Sequence, residues 1–273
     1  MVAAIQFTGG LECFGPGAQR RKLYPKSLTV FFPAYNDGGT IGSQVLTALQ
    51  LLPRITDDYE VLVVNDGSQD HTADVLAELS RRYPQVRVLH HAHNRGYGAA
   101  LRTGFAAVRK EWVFYTDGDA QYDPCDLRRL LAVWSESVDV VTGYKIARRD
   151  PLYRIVVGWL YQRVVGAAFG LRVRDVDCDF RLIRRSVLDR VALESVTGTI
   201  CVEMMKKFQN AGCAILEVSV PHYYRTYGTS QFFRPRHLWR IAGQLVRLWW
   251  QLVVRRGPAV GAGPKAAGAG GKI

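Results

Sequence analysis

Three aspartates, Asp117, Asp119 and Asp123, lie close together in the stretch YTDGDAQYDP, directly after the apolar run Trp112-Val113-Phe114-Tyr115. Asp117 and Asp119 flank Gly118, which permits a tight turn and close backbone approach. Two carboxylates held that near each other repel, and a divalent cation relieves the repulsion. Mg²⁺ or Mn²⁺ prefers carboxylate, amide and water oxygens and often bridges substrate phosphates. Asp117 and Asp119, with the neutral oxygen of Gln121, are therefore candidate metal ligands. The same residues also suit an Asx turn ahead of a helix opened by Asp123-Pro124. Both readings stand on these residues alone.

The elements that must position this cluster follow from the apolar pattern. Residues 27–33, 59–65, 86–90, 111–116 and 138–143 read as strands. Residues 40–52, 72–82, 99–109 and 126–135 read as helices. Continuous rather than alternating apolar strands, separated by helices, predict an α/β fold with a mostly parallel sheet and helices on both faces. In such sheets ligands gather at the carboxyl ends of the strands. Four polar clusters fall at those ends: PAYND (33–37), NDGSQD (65–70), HNRGYG (93–98) and DGDAQ (117–121). Asn, Asp and Gly also favour ordinary turns, so one cluster alone decides little. NRGYGAALRTG lacks the GxGxxG spacing and follows the third strand, which argues against a dinucleotide site. Its small residues Gly98, Ala99 and Ala100 are expected to let a helix pack close to a bound diphosphate or metal.

With 273 residues, 48% of them hydrophobic, the chain can bury one substantial core. Its five cysteines, Cys13, Cys125, Cys178, Cys201 and Cys213, form no CxxC pair, which suits a reducing compartment over a disulfide or zinc framework. No secretory signal is visible at the N-terminus. The positive charge sits at the ends. Arg20, Arg21, Lys22 and Lys26 face only Glu12 near the start, and no acidic residue follows Glu217. Basic ends point to an anionic surface or ligand, with lipid and nucleic acid both possible.

PAYND, VVNDGS, NRGYGAAL, DGDAQYDP and the later DCDFRLIRR resemble the successive signatures of glycosyltransferase family 2, in order, over roughly residues 27–232. They are most similar to its dolichyl-phosphate mannose synthase and polyprenyl-phosphate glucosyltransferase branch. The resemblance implies a GT-A fold, a nucleotide-sugar donor, Mg²⁺ or Mn²⁺, and inverting transfer to a lipid phosphate. By position, Pro33, Ala34, Tyr35 and Asp37 border the nucleoside and Asp66 reads the base edge. Asp117, Gly118, Asp119 and Gln121 hold metal and diphosphate. Asp37 stands where the family usually carries glutamate, which leaves donor choice open between GDP-mannose, favoured by overall resemblance, and UDP-glucose.

In DVDCDFRLIRR (175–185), the Cys178-Asp179-Phe180 run is closer to the bacterial glucosyltransferase form than to the mannose synthase form. Asp179 and Asp119 are the catalytic candidates on this resemblance; a surface ion-pair cluster is the alternative for 175–185. Arg148, Arg149 and Arg163 are candidates for the acceptor phosphate, since guanidinium groups match phosphate geometry. HYYRTYGTSQFF (222–233) resembles the family's RxxGxS loop, putting Arg225 and Ser230 on the diphosphate side. Glu203 falls where the family has a glutamate, either lining the site or on a solvated helix face.

Residues 151–170 are apolar nearly all round, but Arg154 and Arg163 suit a core or interfacial helix rather than a membrane span. In 235–256, Leu238, Trp239, Ile241, Leu245, Leu248, Trp249, Trp250 and Leu252 share one helical side. Arg236, Arg240 and Arg247 share the other, the pattern of a helix lying in a bilayer interface. A helix packed on the protein with a solvated basic face is the alternative. The expected organisation is a basic, flexible segment over 1–26, a catalytic domain over 27–232, an interfacial helix over 233–256 and a disordered tail over 257–273. The expected protein is an enzyme peripheral to the cytoplasmic face of a membrane, acting on a nucleotide sugar and a polyprenyl or dolichyl phosphate. A transferase to a saccharide hydroxyl is the second reading. A nucleic-acid-binding module is a third, disfavoured because three tryptophans on a coherent apolar face suit lipid better than a phosphate backbone.

Overall fold

Runs of valine, leucine and aromatics build a seven-stranded sheet. The computed structural model describes residues 25–146, 152–225, 227 and 235–255, with side chains for all of these except 152–154 and 235–240. The strands are β1 (Ser27–Ala34), β2 (Asp58–Asn65), β3 (Val86–His90), β4 (Trp112–Thr116), β5 (Val140–Ile146), β6 (Phe180–Arg184) and β7 (Ile215–Pro221). Their order across the sheet is β3-β2-β1-β4-β6-β5-β7. β1 pairs in parallel with β2 and β4, β2 with β3, and β5 with β7. β6 alone runs antiparallel, wedged between β4 and β5.

The helices are α1 (Ile41–Leu51), α2 (Thr72–Arg82), α3 (Tyr97–Ala107), α4 (Leu127–Leu131), α5 (Leu152–Phe169), α6 (Arg185–Arg190), α7 (Ile200–Asn210) and α8 (Pro235–Trp249). They cover both faces of the sheet, which explains the continuous apolar strands. Leu28, Val30 and Phe32 of β1 pack with Ile41, Val45 and Ala48 of α1 and Leu127 and Leu130 of α4. Phe31, Val113 and Tyr115 point to the other layer, with Leu101 and Phe105 of α3 and Met204 and Phe208 of α7.

The five expected strands and their four helices are present, with shifts at the ends. The helix expected over 126–135 is a 3₁₀ turn at Pro124–Asp126 followed by the short α4. Asp123 caps that turn, accepting from the Cys125 amide at 2.8 Å. β6 was not expected, because FRLIR carries charged residues that read as chemistry. It alternates like a strand covered on both faces: Phe180 and Leu182 enter one layer and Ile183 the other. Arg181 is wholly buried.

The C-terminal helix packs in part against the protein. Leu248 is buried, and Leu245, Trp249, Leu252 and Val253 pack against the layer containing α5 and α7. The Trp249 Nε1–H donates to the Ala168 carbonyl at 2.8 Å. Part of the apolar stripe stays outward: Trp250 is 51% exposed. The side chains of Arg236, Leu238, Trp239 and Arg240 lie outside those described. Among the described residues no helix is long and apolar enough to cross a membrane.

The ring of Phe180 stacks edge-on against Phe114 at 4.7 Å, joining β6 to β4 inside the core. Phe180→Ala is expected to lower stability by ~3–5 kcal/mol, the usual cost of emptying a buried phenylalanine site. Urea unfolding of the two proteins measures it.

Candidate functional site

Because β6 is antiparallel, its first residue sits at the carboxyl-terminal edge of the parallel strands. Thr116, which ends β4, pairs with Phe180, which begins β6. Asp117 and Asp179 therefore leave adjacent strands at one edge. Asp117 accepts from the Tyr97 hydroxyl at 2.8 Å. Oδ1 of Asp179 accepts from the Tyr115 hydroxyl at 3.3 Å, from Arg181 at 3.4 Å and from the Cys201 thiol at 3.1 Å. Arg181 is fixed in turn by Thr142 Oγ1 at 3.2 Å and by bonds to the Tyr115 hydroxyl and the Val176 carbonyl.

The DGDAQ turn is clamped onto the end of β1. The Gly118 amide donates to the Pro33 carbonyl at 3.3 Å, and its carbonyl accepts from Thr40 Oγ1 at 2.8 Å. A Cβ on Gly118 would lie 2.9 Å from Ile41 Cδ1 and 3.3 Å from the Pro33 carbonyl oxygen, so glycine lets the turn seat closely. Ala120 follows in the left-handed region at φ 60°, a conformation that costs a non-glycine residue roughly 1–2 kcal/mol. The turn that includes it brings Oδ1 of Asp119 to the Gln121 amide at 3.0 Å, while Oδ2 pairs with Arg225. Gln121 also exchanges bonds with Tyr223: its carbonyl accepts from the Tyr223 amide at 2.9 Å, and its Nε2 donates to the Tyr223 carbonyl at 3.3 Å.

The PAYND and NDGSQD loops are stitched together. The Asn36 amide donates to Ser68 Oγ at 3.0 Å, the Gln69 amide to Asn36 Oδ1 at 2.8 Å, and the Asp37 amide to Thr72 Oγ1 at 3.0 Å. The Ala34 carbonyl accepts from the Asp66 amide at 2.9 Å, and the Tyr35 amide donates to Asp37 Oδ2 at 3.0 Å. Pro33, Ala34, Tyr35, Asp37, Gly118 and Asp119 thus form one continuous wall.

Electrostatically the wall is a crowd of acids. Burial pushes the Asp117 carboxyl well above the ordinary carboxylate range, and the neighbouring Asp179 and Asp119 push it further. Burial likewise raises Asp37 to about 6, against the pull of the Tyr35 amide and with Asp119 adding to the rise. Beside them, burial lifts Asp177 to about 7 although Lys145 opposes it. Lys145 Nζ also donates to the Asp177 carbonyl at 2.6 Å and lies 3.5 Å from Asp175.

Several expected positions are engaged within the protein itself. Asp66 has its carboxylate engaged by the Arg95 and Gly96 amides, each at 2.9 Å, and by His91 Nδ1 at 2.6 Å. It braces the 93–96 turn; a carboxylate oxygen retains a second lone pair for a further donor. Gly98 packs against a protein loop. Its amide donates to the Val196 carbonyl at 3.1 Å, and a Cβ there would sit 2.6 Å from the Ser195 carbonyl oxygen. The small residues let α3 close onto the 195–197 loop. Glu203 is neither solvated nor lining the cleft: it is buried and accepts from the Glu194 and Ser195 amides at 2.9 and 2.8 Å, holding that same loop. Arg163 is exposed and stacks over Trp159 at 5.3 Å, on the outside of α5. Arg148, Arg149 and Ser230 lie outside the described residues. Tyr97 and Cys201 join the site without having been singled out. Tyr97 could have been found inside NRGYG, whereas nothing in TICVEMM marks Cys201.

Residues 29–192 match the family described as Glycosyl transferase family 2. The chain belongs to glycosyl transferase family 2. It is 25% identical over 209 residues to undecaprenyl-phosphate 4-deoxy-4-formamido-L-arabinose transferase of Photorhabdus laumondii, covering 76% of this chain and 63% of that one. It is 29% identical over 238 residues to glycosyltransferase AglD of Haloferax volcanii, covering 84% of this chain and 38% of that one. The chain thus spans less than two thirds of either relative. Among solved structures, glucosyl-3-phosphoglycerate synthase of Mycobacterium tuberculosis with bound UDP superposes with a TM-score of 0.65 at 18% identity, covering 87% of this chain and 85% of that one. The same enzyme with Mn²⁺, UDP-glucose and phosphoglyceric acid gives 0.64. At that identity the likeness establishes the GT-A fold.

Among the described residues of this family 2 domain, no three His, Cys, Asp or Glu side chains converge into a self-sufficient metal site. Two carboxylates in a buried, acid-rich cleft nevertheless fit a hard cation whose remaining ligands are phosphate and water oxygens. Asp119 already draws a positive group, the Arg225 guanidinium, to its Oδ2.

In the family 2 domain Asp177 keeps its proton to about pH 7, whereas the unfolded chain releases it near 3.8. Between those values the folded state binds the extra proton, so this group's contribution to stability falls as pH rises, and the loss is complete above 7. Asp177→Asn is expected to shrink the drop in urea midpoint between pH 5 and pH 8.

Proposed function

We propose that this chain transfers a monosaccharide from a nucleoside-diphosphate sugar to a polyprenyl phosphate at a membrane surface, with inversion and with Mg²⁺ or Mn²⁺. The observation carrying this reading is the convergence of Asp37, Asp117, Asp119 and Asp179 on one edge of a GT-A sheet. The names of the relatives support a prenyl phosphate acceptor, because the first acts on undecaprenyl phosphate. GDP-mannose remains the first donor by sequence resemblance. The Cys178-Asp179-Phe180 run favours UDP-glucose as the second.

In this reading the PAYND wall and Asp66 border the nucleoside, and Arg225 with Asp117 and Asp119 flanks the diphosphate. A bound divalent cation supplies charge neutralisation to the departing nucleoside diphosphate. The acceptor phosphate, with a second pKa of ~6, is already largely anionic at neutral pH. Its oxygen attacks the anomeric carbon, the new carbon–oxygen bond forms on the opposite face, and the bond to the diphosphate breaks. No general base is required, so Asp179, held by Tyr115, Arg181 and Cys201, orients rather than deprotonates. A sugar hydroxyl acceptor would instead need a base at this position.

Purified protein incubated with a panel of nucleotide sugars, undecaprenyl phosphate and Mn²⁺ is expected to give a prenyl-phosphate monosaccharide by mass. Asp119→Ala is expected to lose at least ~10²-fold in turnover, the scale of removing one group that stabilises developing charge, with an unchanged unfolding midpoint. Full activity of that variant in excess chelator would refute the metal assignment.

A further inference from the structure

Helix α5 presents a face that nothing in the described protein covers. Val156, Val157, Trp159, Leu160 and Val164 are 62, 50, 57, 56 and 59% exposed. At 3.6 residues per turn all five fall within an arc of about 160°. The opposite side is spent on the fold: Val165 and Phe169 are buried in the core. Single exposed apolar residues are ordinary, but five large ones within about three turns of one helix form a patch that marks a contact surface.

We propose that the outward face of α5 is the surface by which this protein lies against anionic lipid. Three observations select lipid. Arg163 falls within the apolar arc and stacks on Trp159 at 5.3 Å, so an apolar body ends in a cationic tip. At a bilayer boundary such a side chain buries its stem and ring contact while the charge reaches phosphate headgroups. Charge is also one-sided: residues 151–174 contain no Asp or Glu, and none follows Glu217. A second copy fits poorly, because a symmetric contact through this arc would bury two arginines with no carboxylate on either helix to pair them.

The face is also wired to the reacting edge, which is why the inference rests on the acceptor being lipid-borne. Gln162, one residue from Arg163, turns inward. Its Nε2 donates to Asp175 Oδ1 at 3.0 Å and its Oε1 accepts from the Val176 amide at 3.1 Å. Asp175 accepts from the Asp177 amide at 3.2 Å, so α5 grips the loop that leads to Asp179. A helix resting on lipid would hold the acceptor-side carboxylate at a fixed height above the headgroups.

The test is vesicle flotation of the full chain and of Trp159→Ser/Leu160→Ser, with phosphatidylcholine vesicles containing or lacking phosphatidylglycerol. The wild type is expected to float with the anionic vesicles, and the double variant to lose at least about tenfold in partitioning. The variant should keep its melting midpoint and its transfer to a short, water-soluble prenyl phosphate. Unchanged flotation of the variant, or no flotation of the wild type, overturns the proposal. A wild-type dimer that becomes monomeric in the variant with flotation unaltered overturns it too, assigning the face to a second copy. Flotation lost through these two residues, in a protein whose wild type transfers to no prenyl phosphate, supports the docking face and defeats the acceptor reading instead.

Discussion

Pairing Thr116 with Phe180 brings two carboxylates, Asp117 and Asp179, out of neighbouring strands at the same edge. Everything chemical in this molecule depends on that register. In a purely parallel sheet the segment after Asp179 would have to begin at the opposite edge, and its acid would be lost to the cleft. Reversing one strand solves this at a cost, because like charges then crowd in a dry place. Asp117 responds with a raised proton affinity that burial and its two acidic neighbours enforce. A site built this way is poised to take up a cation, and a nucleoside diphosphate brings the oxygens that complete its shell.

Rigidity around the acids comes from groups outside the DxD turn. Gly118 is locked under β1, Asp66 organises the turn before α3, and Glu203 holds the loop on which Gly98 closes. Arg181 is the buried keystone of the acceptor side, tying Tyr115, Thr142 and Asp179 together across three strands. Such support keeps reacting groups at productive distances, which is where much of catalysis by positioning resides.

The parallel half of the sheet was legible in the sequence because strands covered on both faces leave long apolar runs, and because Asn, Asp and Gly gather in the loops that follow them. The DxD turn was legible for the same reason. β6 was not, since a strand whose inward residue is an arginine breaks the apolar pattern. The bonds from Arg181 to Tyr115, Thr142, Asp179 and the Val176 carbonyl make that burial tolerable. Glu203 and Gly98 were marked as special but given the wrong neighbours. Spacing along the chain says that a glycine must approach something; it does not say that the something is a loop 100 residues away. The C-terminal helix was read from its own amphipathicity, which cannot distinguish a lipid from a protein core as the apolar partner. Leu248 and Trp249 pack on the layer containing α5, whereas Trp250 stays exposed.

The acid cluster is tested most directly by Mn²⁺ binding, followed by the electron paramagnetic resonance of free Mn²⁺ with and without UDP or GDP. The wild type should take up one ion per chain in the presence of a nucleoside diphosphate, and Asp117→Asn should take up none at the same concentrations. Equal uptake by the two proteins would contradict the claim that Asp117 and Asp119 of the DxD turn hold the cation.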